Sequence, residues 1–265
     1  MSSWKVNNMD YKKQNEKAWD SLAKQNDTWT IPISTEEVDK ARGGDFKIVL
    51  TPTKAIPRDW FPKEIKGIKI LCLASGGGQQ GPILAALGAE VTVFDNSQEQ
   101  LGKDIFVAKR DNLTIKTVKG DMQDLSCFAD ETFDLIVHPW SNCFIDSVIP
   151  VWKESFRVLK KGGSLLSGFG NPVSYIFDLK EYNSGNLMVR HSIPYSDLTS
   201  LSKEEFKEQV SDKNEPVTFG HTLQDQIGGQ INVGFSITGF YEDNFGGDDI
   251  LDKYISAGIA TKATK

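Results

Sequence analysis

Residues 70–78 read Ile-Leu-Cys-Leu-Ala-Ser-Gly-Gly-Gly, an apolar run that passes directly into a glycine-rich turn. The run predicts a buried β-strand, and the glycines predict a turn whose backbone a ligand can approach closely. A helix pattern follows over 79–88, and a second apolar strand, Val91-Thr-Val-Phe, ends in Asp95. A helix N-terminus favours an anionic group, and an acid that closes the second strand can bind two ribose hydroxyls. This segment therefore predicts a nucleotide-type cofactor site.

Apolar strand patterns alternate with helix patterns from Ile68 onward. We predict strands near 68–74, 90–95, 114–119, 134–138 and 163–169, and helices near 79–88, 97–112 and 146–160. Strands that are almost wholly apolar are typical of a parallel sheet with helices on both faces. Right-handed crossovers then give a doubly wound α/β fold.

The alternation stops after Gly170. We predict that residues 171–221 form an insertion over the carboxyl ends of the strands, where it could close over the site as a lid. A helix near 222–234 and strands near 235–242 and 254–261 follow, and the short loop between these strands permits only an antiparallel pair. We accordingly divide the chain into an N-terminal helical cap and connector (1–66), a cofactor-binding core (67–170), the insertion (171–221) and a closing segment of the core (222–265).

The composition of the 265 residues excludes several classes of protein. The formal net charge is -6, which disfavours a general nucleic-acid binder. The first eight residues contain no apolar signal segment, and no apolar run reaches the ~20 residues that span a bilayer. Cys72, Cys127 and Cys143 lie far apart, so we expect no metal site and a reduced, cytoplasmic setting without a membrane partner.

Two cofactor classes fit the glycine turn. Gly76-x-Gly78-x-x-Gly81 matches the dinucleotide-binding pattern, which leaves an NAD(P)-dependent oxidoreductase open. Three other segments favour S-adenosylmethionine instead: Lys119-Gly-Asp-Met after the third strand, His138-Pro-Trp-Ser after the fourth, and Phe156-Arg-Val-Leu-Lys-Lys-Gly-Gly, a helix end that leads into the fifth. The chain contains no Tyr-x-x-x-Lys sequence, so a recognisable hydride-transfer set is missing.

With these segments the chain resembles the class I S-adenosylmethionine-dependent methyltransferases over roughly residues 66–170. The C-terminal strand pair also agrees with that family's Rossmann-like, mostly parallel seven-stranded sheet. The resemblance implies that the glycine turn faces the methionine part of the cofactor, that the acid after strand two binds the ribose and that the acid after strand three binds adenine. The cofactor-binding residues it implies are Ala74, Ser75, Gly76, Gly77, Gly78, Asp95, Asn96, Gln100, Asp121, Met122, His138 and Pro139.

The sequence departs from the family pattern at two positions. The acid usual in strand one is Cys72, and the first glycine of the turn is Ala74. The loss of the acid puts the contact to the ammonium end of the cofactor in doubt. A non-catalytic protein that binds the cofactor therefore stays open as an alternative.

The resemblance implies direct in-line methyl transfer to an acceptor, without a covalent enzyme intermediate. His138 ends the fourth strand next to the expected sulfonium and is the candidate general base, although it could instead only shape the pocket. Candidate acceptor contacts are Trp140, Tyr175, His191 and Tyr195. The acidic composition favours a small-molecule acceptor and leaves a protein or RNA acceptor open as an alternative. His138 followed by a single Pro disfavours transfer to adenine N6. The sequence does not predict the oligomeric state.

Overall fold

The fold is described from a computed structural model that covers residues 9–265. Residues 1–8, on which the prediction of no signal segment depends, lie outside this range. The main strands are β1 Lys69–Leu73, β2 Glu90–Asp95, β3 Ile115–Lys119, β4 Phe133–His138, β5 Leu159–Gly170, β8 Ser236–Asp243 and β9 Gly258–Thr264. Two short strands, β6 Tyr195–Ser196 and β7 Phe219–Gly220, pair separately.

The main sheet confirms the predicted fold class. Its strand order is β3-β2-β1-β4-β5-β9-β8. Strands β1 to β5 are parallel, whereas β9 is antiparallel to both β5 and β8. The order reverses between β1 and β4, so their carboxyl ends form the crevice in which open α/β sheets bind ligands.

The helices are α1 Tyr11–Gln25, α2 Thr35–Arg42, α3 Gln80–Ala86, α4 Gln98–Arg110, α5 Ile149–Val158, α6 Leu179–Asn183, α7 Asp197–Ser200, α8 Lys203–Phe206 and α9 Gly229–Asn232. In the described chain, no helix is both long and apolar enough to span a bilayer. The predicted helix near 222–234 begins as a π-helical turn, Gln224–Gly228, and continues as α9.

The final strand differs from its prediction. It was expected at 254–261 and instead begins at Gly258 and ends at Thr264. The preceding residues form a 3₁₀ turn, Ile250–Lys253, because the Asp249 carboxylate accepts the Leu251 amide N–H at 2.7 Å. Asp249 and the turn therefore displace the start of the strand toward the C-terminus.

Alternate residues of the central strands face two separate cores, as a doubly covered sheet requires. Ile70 and Cys72 of β1 pack in the cluster that includes α3 and α4. Leu71 and Leu73 pack in the opposite cluster, with Trp152 of α5. All four side chains are fully buried, which fixes the register and direction of β1 toward the glycine turn.

Helix α1 crosses the carboxyl ends of the strands. Asn15 is buried in it and accepts the Val217 amide N–H at 2.7 Å, while its own amide donates to the Phe144 carbonyl at 2.9 Å. The insertion has a small core of its own that includes Phe206 and Phe219, against which Tyr11 of α1 packs. Helix α1 therefore joins the insertion to the edge of the sheet where ligands are expected.

Candidate functional site

A cavity of about 1090 Å³ lies at the carboxyl ends of the parallel strands. Its floor contains Ala74 after β1, Asp95 at the end of β2, Asp121 after β3 and Pro139 after β4. Helix α1 and the connector residues 28–33 and 47–52 form its other walls. The topology thus brings four separate sequence segments to one site, as the order of the sheet predicts.

Of the sixteen residues predicted to bind ligands, ten line this cavity: Ala74, Ser75, Gly76, Asp95, Asn96, Gln100, Asp121, Met122, Pro139 and Trp140. The other six, Gly77, Gly78, His138, Tyr175, His191 and Tyr195, lie outside the lining. Their assignments stay predictions.

The glycine turn is shaped by close approach and by its backbone conformation. The Gly76 amide N–H donates to Asp95 Oδ2 at 2.9 Å, and a Cβ on Gly76 would lie 2.8 Å from Cβ of Gln100. Gly77 and Ala74 have φ values of 120° and 47°. Glycine adopts positive φ without a steric penalty, whereas Ala74 takes the left-handed conformation at some cost. The turn therefore keeps its glycine-like shape even at the position where the usual glycine is absent.

Asp95 and Gln100 both line the cavity and carry hydrogen-bond acceptors. Asp95 accepts the Gly76 and Ser97 amide N–H groups, both at 2.9 Å, while burial raises the pKa of its carboxyl. Gln100 Oε1 is buried and accepts no hydrogen bond within residues 9–265. A buried acceptor without a donor costs free energy, which a ligand hydroxyl or ammonium group could offset. These two side chains therefore fit a ligand that carries hydrogen-bond donors.

Asp104 contacts the glycine turn and was not identified in the sequence analysis. It lies on α4 with no exposed surface, and its Oδ2 accepts the Gly77 amide N–H at 3.0 Å. Burial raises the pKa of its carboxyl to about 7, although the Gly78 and Gly77 amides lower it. A polar residue one helical turn from Leu101 and Val107, on the apolar face of α4, was the available signal. Asp104 holds the glycine turn from behind the cavity.

The predicted adenine end is tied to α1. Asp121 forms a salt bridge with Lys12, and its Oδ1 accepts the Gln123 amide N–H at 2.9 Å. Lys119 forms a second salt bridge with Glu16 of α1, at 2.6 Å. All four salt-bridge side chains are partly exposed, so each pair contributes only about 0–1 kcal/mol. A ligand at Asp121 would compete with Lys12 at small cost.

His138 is fully buried at the end of β4. Its Nδ1 lies 2.9 Å from the Leu73 carbonyl oxygen and its Nε2 lies 2.8 Å from Asn142 Oδ1. Burial lowers the pKa of the imidazole, against the raising effect of these two oxygens. A neutral imidazole donates from only one of these nitrogens, and with either tautomer the ring lies between the ends of β1 and β4.

Trp140 lines the cavity after the end of β4. Its amide N–H donates to the Leu50 carbonyl at 3.1 Å, and its ring lies 5.8 Å from that of Phe245. Within the insertion, the Tyr195 ring lies 5.6 Å from that of Tyr175 and 5.1 Å from that of His191. The three predicted acceptor residues of the insertion are thus brought together, although none of them lines the cavity described above.

Comparisons with known proteins place the chain in a sequence family. Residues 71–167 match the family model described as a methyltransferase domain. The "Uncharacterized methyltransferase YbaJ" of Bacillus subtilis is 53% identical over 251 residues, which cover 95% of this chain and 97% of that protein. "Sterol methyltransferase-like 2" of Botryococcus braunii is 36% identical over 99 residues, which cover 36% of this chain and 25% of that protein.

Solved structures agree in fold. An S-adenosylmethionine-dependent methyltransferase from Mesorhizobium loti gives a TM-score of 0.60 at 16% identity, covering 78% of this chain and 95% of that one. A SAM-dependent methyltransferase from Methanosarcina mazei gives a TM-score of 0.54 at 20% identity, covering 80% of this chain and 99% of that one. At these identities the likeness concerns the fold alone.

Proposed function

The chain belongs to the class I S-adenosylmethionine-dependent methyltransferases, and on that premise we propose that it transfers a methyl group in line to a small-molecule acceptor. The observation that carries the proposal is the convergence of the glycine turn, Asp95 and Asp121 on one cavity. Helix α1 and the connector enclose this cavity further, so it is better suited to a small molecule than to a folded macromolecule. A nucleic-acid acceptor is disfavoured by the net charge of -6.

The residues of the cavity fit the cofactor that the family uses. Asp95 and Gln100 would hold the ribose hydroxyls, and Asp121 would accept from the adenine amino group while Met122 packs beside the ring. The closeness of Gly76 to Asp95 and Gln100 leaves no room for a side chain, so a glycine is needed for the turn to pack against these two residues. When bound, S-adenosylmethionine supplies an electrophilic methyl group on a sulfonium.

The protein contributes alignment and exclusion of water in this proposal. Pro139 and Trp140 follow β4 and would border the reacting end, while Ala74 and Ser75 would border the methionine part. Cys72 and Cys143 are buried, and burial raises the pKa of both thiols, so neither is suited to act as a nucleophile. No covalent step is proposed.

His138 is proposed to position the ends of β1 and β4. Its burial and its contacts to Leu73 and Asn142 support this role. The general-base role predicted from sequence would require one ring nitrogen to leave its present partner and reach the cavity. That role stays a prediction.

We propose that the insertion, residues 171–221, acts on the cavity through α1. Its core packs on Tyr11, and Tyr11 Oη donates to Asp146 Oδ1 at 2.7 Å. Movement of the insertion would therefore displace α1, which covers the predicted adenine end. We also propose a cytoplasmic setting, which the three unpaired cysteines support.

Calorimetric titration with S-adenosylhomocysteine, with NADH and NADPH in parallel, tests the proposed cofactor. We expect micromolar affinity for the first, about 8 kcal/mol, and none for the nicotinamides. Asp95→Asn should weaken that binding at least ~10-fold, because it removes a charged acceptor. Asp134→Asn is the matched control, since Asp134 pairs with Lys160 at the opposite end of β4. Binding of a nicotinamide alone, or equal effects of the two variants, would contradict the proposal.

A further inference from the structure

We infer that the methyl acceptor is an apolar molecule, bound between the connector and Trp140. The inference rests on the proposed methyl-transfer function and names the class of acceptor for the same cavity. It is carried by three observations, which concern the composition of one wall, the hydrogen bonds within that wall and the exposed residues at the rim.

The wall away from the predicted ribose and adenine contacts is built mainly from large apolar side chains. They come from the connector, α3, the turn after β4 and the loop between β8 and β9: Ile33, Ile48, Val49, Leu50, Pro52, Ile83, Trp140 and Phe245. The whole cavity, about 1090 Å³, slightly exceeds the ~300–1,000 Å³ typical of ligand sites. It therefore has room for an acceptor beside the cofactor, against this apolar wall.

Three polar side chains of this wall already have partners within the protein. Thr51 Oγ1 donates to Asp243 Oδ2 at 2.7 Å, and Ser141 Oγ donates to the Pro139 carbonyl at 2.9 Å. Glu37 Oε2 accepts from the amide and the hydroxyl of Ser34. Lys47 is the remaining charge here, and its side chain is exposed to solvent. A polar acceptor would give up hydrogen bonds to water and find few replacements, which penalises its binding.

The rim of the cavity also exposes large apolar side chains. Trp29 and Ile31 both line the cavity and are 57% and 52% exposed. Their backbone is fixed, because the Gln79 side-chain amide donates to the Trp29 and Ile31 carbonyls at 3.3 and 3.0 Å. An ordered apolar rim next to an apolar wall offers a continuous path from solvent for an apolar ligand.

Binding of 4-alkylphenols to the protein saturated with S-adenosylhomocysteine tests the inference without knowledge of the reacting atom. Calorimetry with phenol, 4-ethylphenol, 4-butylphenol and 4-hexylphenol should show affinity that rises about fourfold per methylene until the cavity is filled. The same compounds with a terminal hydroxyl on the chain should lose this gain. Absence of binding, affinity independent of chain length, or preference for the hydroxylated series would each overturn the inference.

Matched variants locate the site. Phe245→Asn should reduce the gain per methylene to twofold or less, whereas Phe240→Asn, which changes an exposed ring of β8 outside the cavity, should leave it unchanged. Ile31→Asn and Ile231→Asn form a second pair, because the two side chains are 52% and 54% exposed and only Ile31 lines this cavity. Equal effects within both pairs would overturn the assignment.

S-Adenosylhomocysteine affinity is measured for every variant. If the unaltered protein does not bind S-adenosylhomocysteine, the proposed function is contradicted. If it binds S-adenosylhomocysteine but its affinity for the alkylphenols does not depend on their chain length, only the acceptor inference is contradicted.

Discussion

Replacement of Asp104 by Asn removes a buried charge and keeps the shape of the side chain. In the folded protein, burial raises the pKa of this carboxyl from 3.8 to about 7. Because one pKa unit corresponds to about 1.4 kcal/mol, ionisation of Asp104 costs the folded protein about 4 kcal/mol relative to the unfolded chain. The folded state holds the proton more tightly, so this stabilising contribution is complete below about pH 4. It declines as the pH rises and is lost above about pH 7.

Chemical denaturation at a series of pH values measures this contribution. Between about pH 5 and about pH 7, the free energy of unfolding of the unaltered protein should fall relative to Asp104→Asn by about 1.4 kcal/mol per pH unit. Asp111→Asn, at the C-terminal cap of the same helix, is the control, because hydrogen bonding to Arg110 lowers the pKa of Asp111. Its contribution is lost only at lower pH, so its difference curve should be flat in this window. Parallel curves for Asp104→Asn and the unaltered protein would refute the reasoning.

Three further substitutions test the geometry around the site. Cys72→Asp should destabilise the fold by at least ~3 kcal/mol, because it buries a second carboxyl near Asp104, and the cost should fall by ~1–2 kcal/mol when Asp104→Asn is also present. Additive effects in denaturation would contradict that coupling. Gly168→Ala should destabilise the fold by several kcal/mol or prevent folding, because the new Cβ would lie 2.1 Å from the Leu50 carbonyl oxygen. Gly102→Ala is its control and should stabilise the fold by ~0.5–1 kcal/mol, because the space around Gly102 is open. His138→Asn should lower the free energy of unfolding by ~1–3 kcal/mol, because it removes a buried hydrogen bond between β1 and β4. It should change the affinity for S-adenosylhomocysteine less than about threefold. A large loss of that affinity would instead support a direct contact between His138 and the cofactor.

The fold was predictable because its signals are local and repeated. Each parallel strand is an apolar run followed by a helix pattern, and the positions of β1 to β4 agree with their predictions to within one or two residues. The last strand was misplaced because the Leu251 backbone amide donates to the Asp249 carboxylate and forms a 3₁₀ turn where the sequence pattern still predicts strand. The pattern of apolar residues alone does not predict such a hydrogen bond.

The floor of the site was predictable for a topological reason. The residues that end consecutive parallel strands must meet at one edge of the sheet, so Asp95 and Asp121 could be assigned to one cavity before any coordinates. The connector wall could not be predicted in this way. Residues 47–52 reach Trp140 through a backbone hydrogen bond from Trp140 to Leu50, and no periodicity or motif in that proline-containing segment encodes the contact.

Cys72 shows how a missing residue can be misread when only its own position is considered. From the sequence alone, Cys72 is interpreted as the loss of an acid, because the family pattern places a carboxylate at this position of the strand. In the structure, a carboxylate is present behind the same turn, but it belongs to Asp104 of α4 and accepts the Gly77 amide N–H. Burial and then the Asp104 charge raise the pKa of the Cys72 thiol, so the strand position faces the helix residue across the core. An acid at both positions would place two unpaired charges in one buried space. An uncharged residue at position 72, such as this thiol, is therefore compatible with the carboxylate on α4, and the departure from the family pattern is consistent with an intact glycine turn.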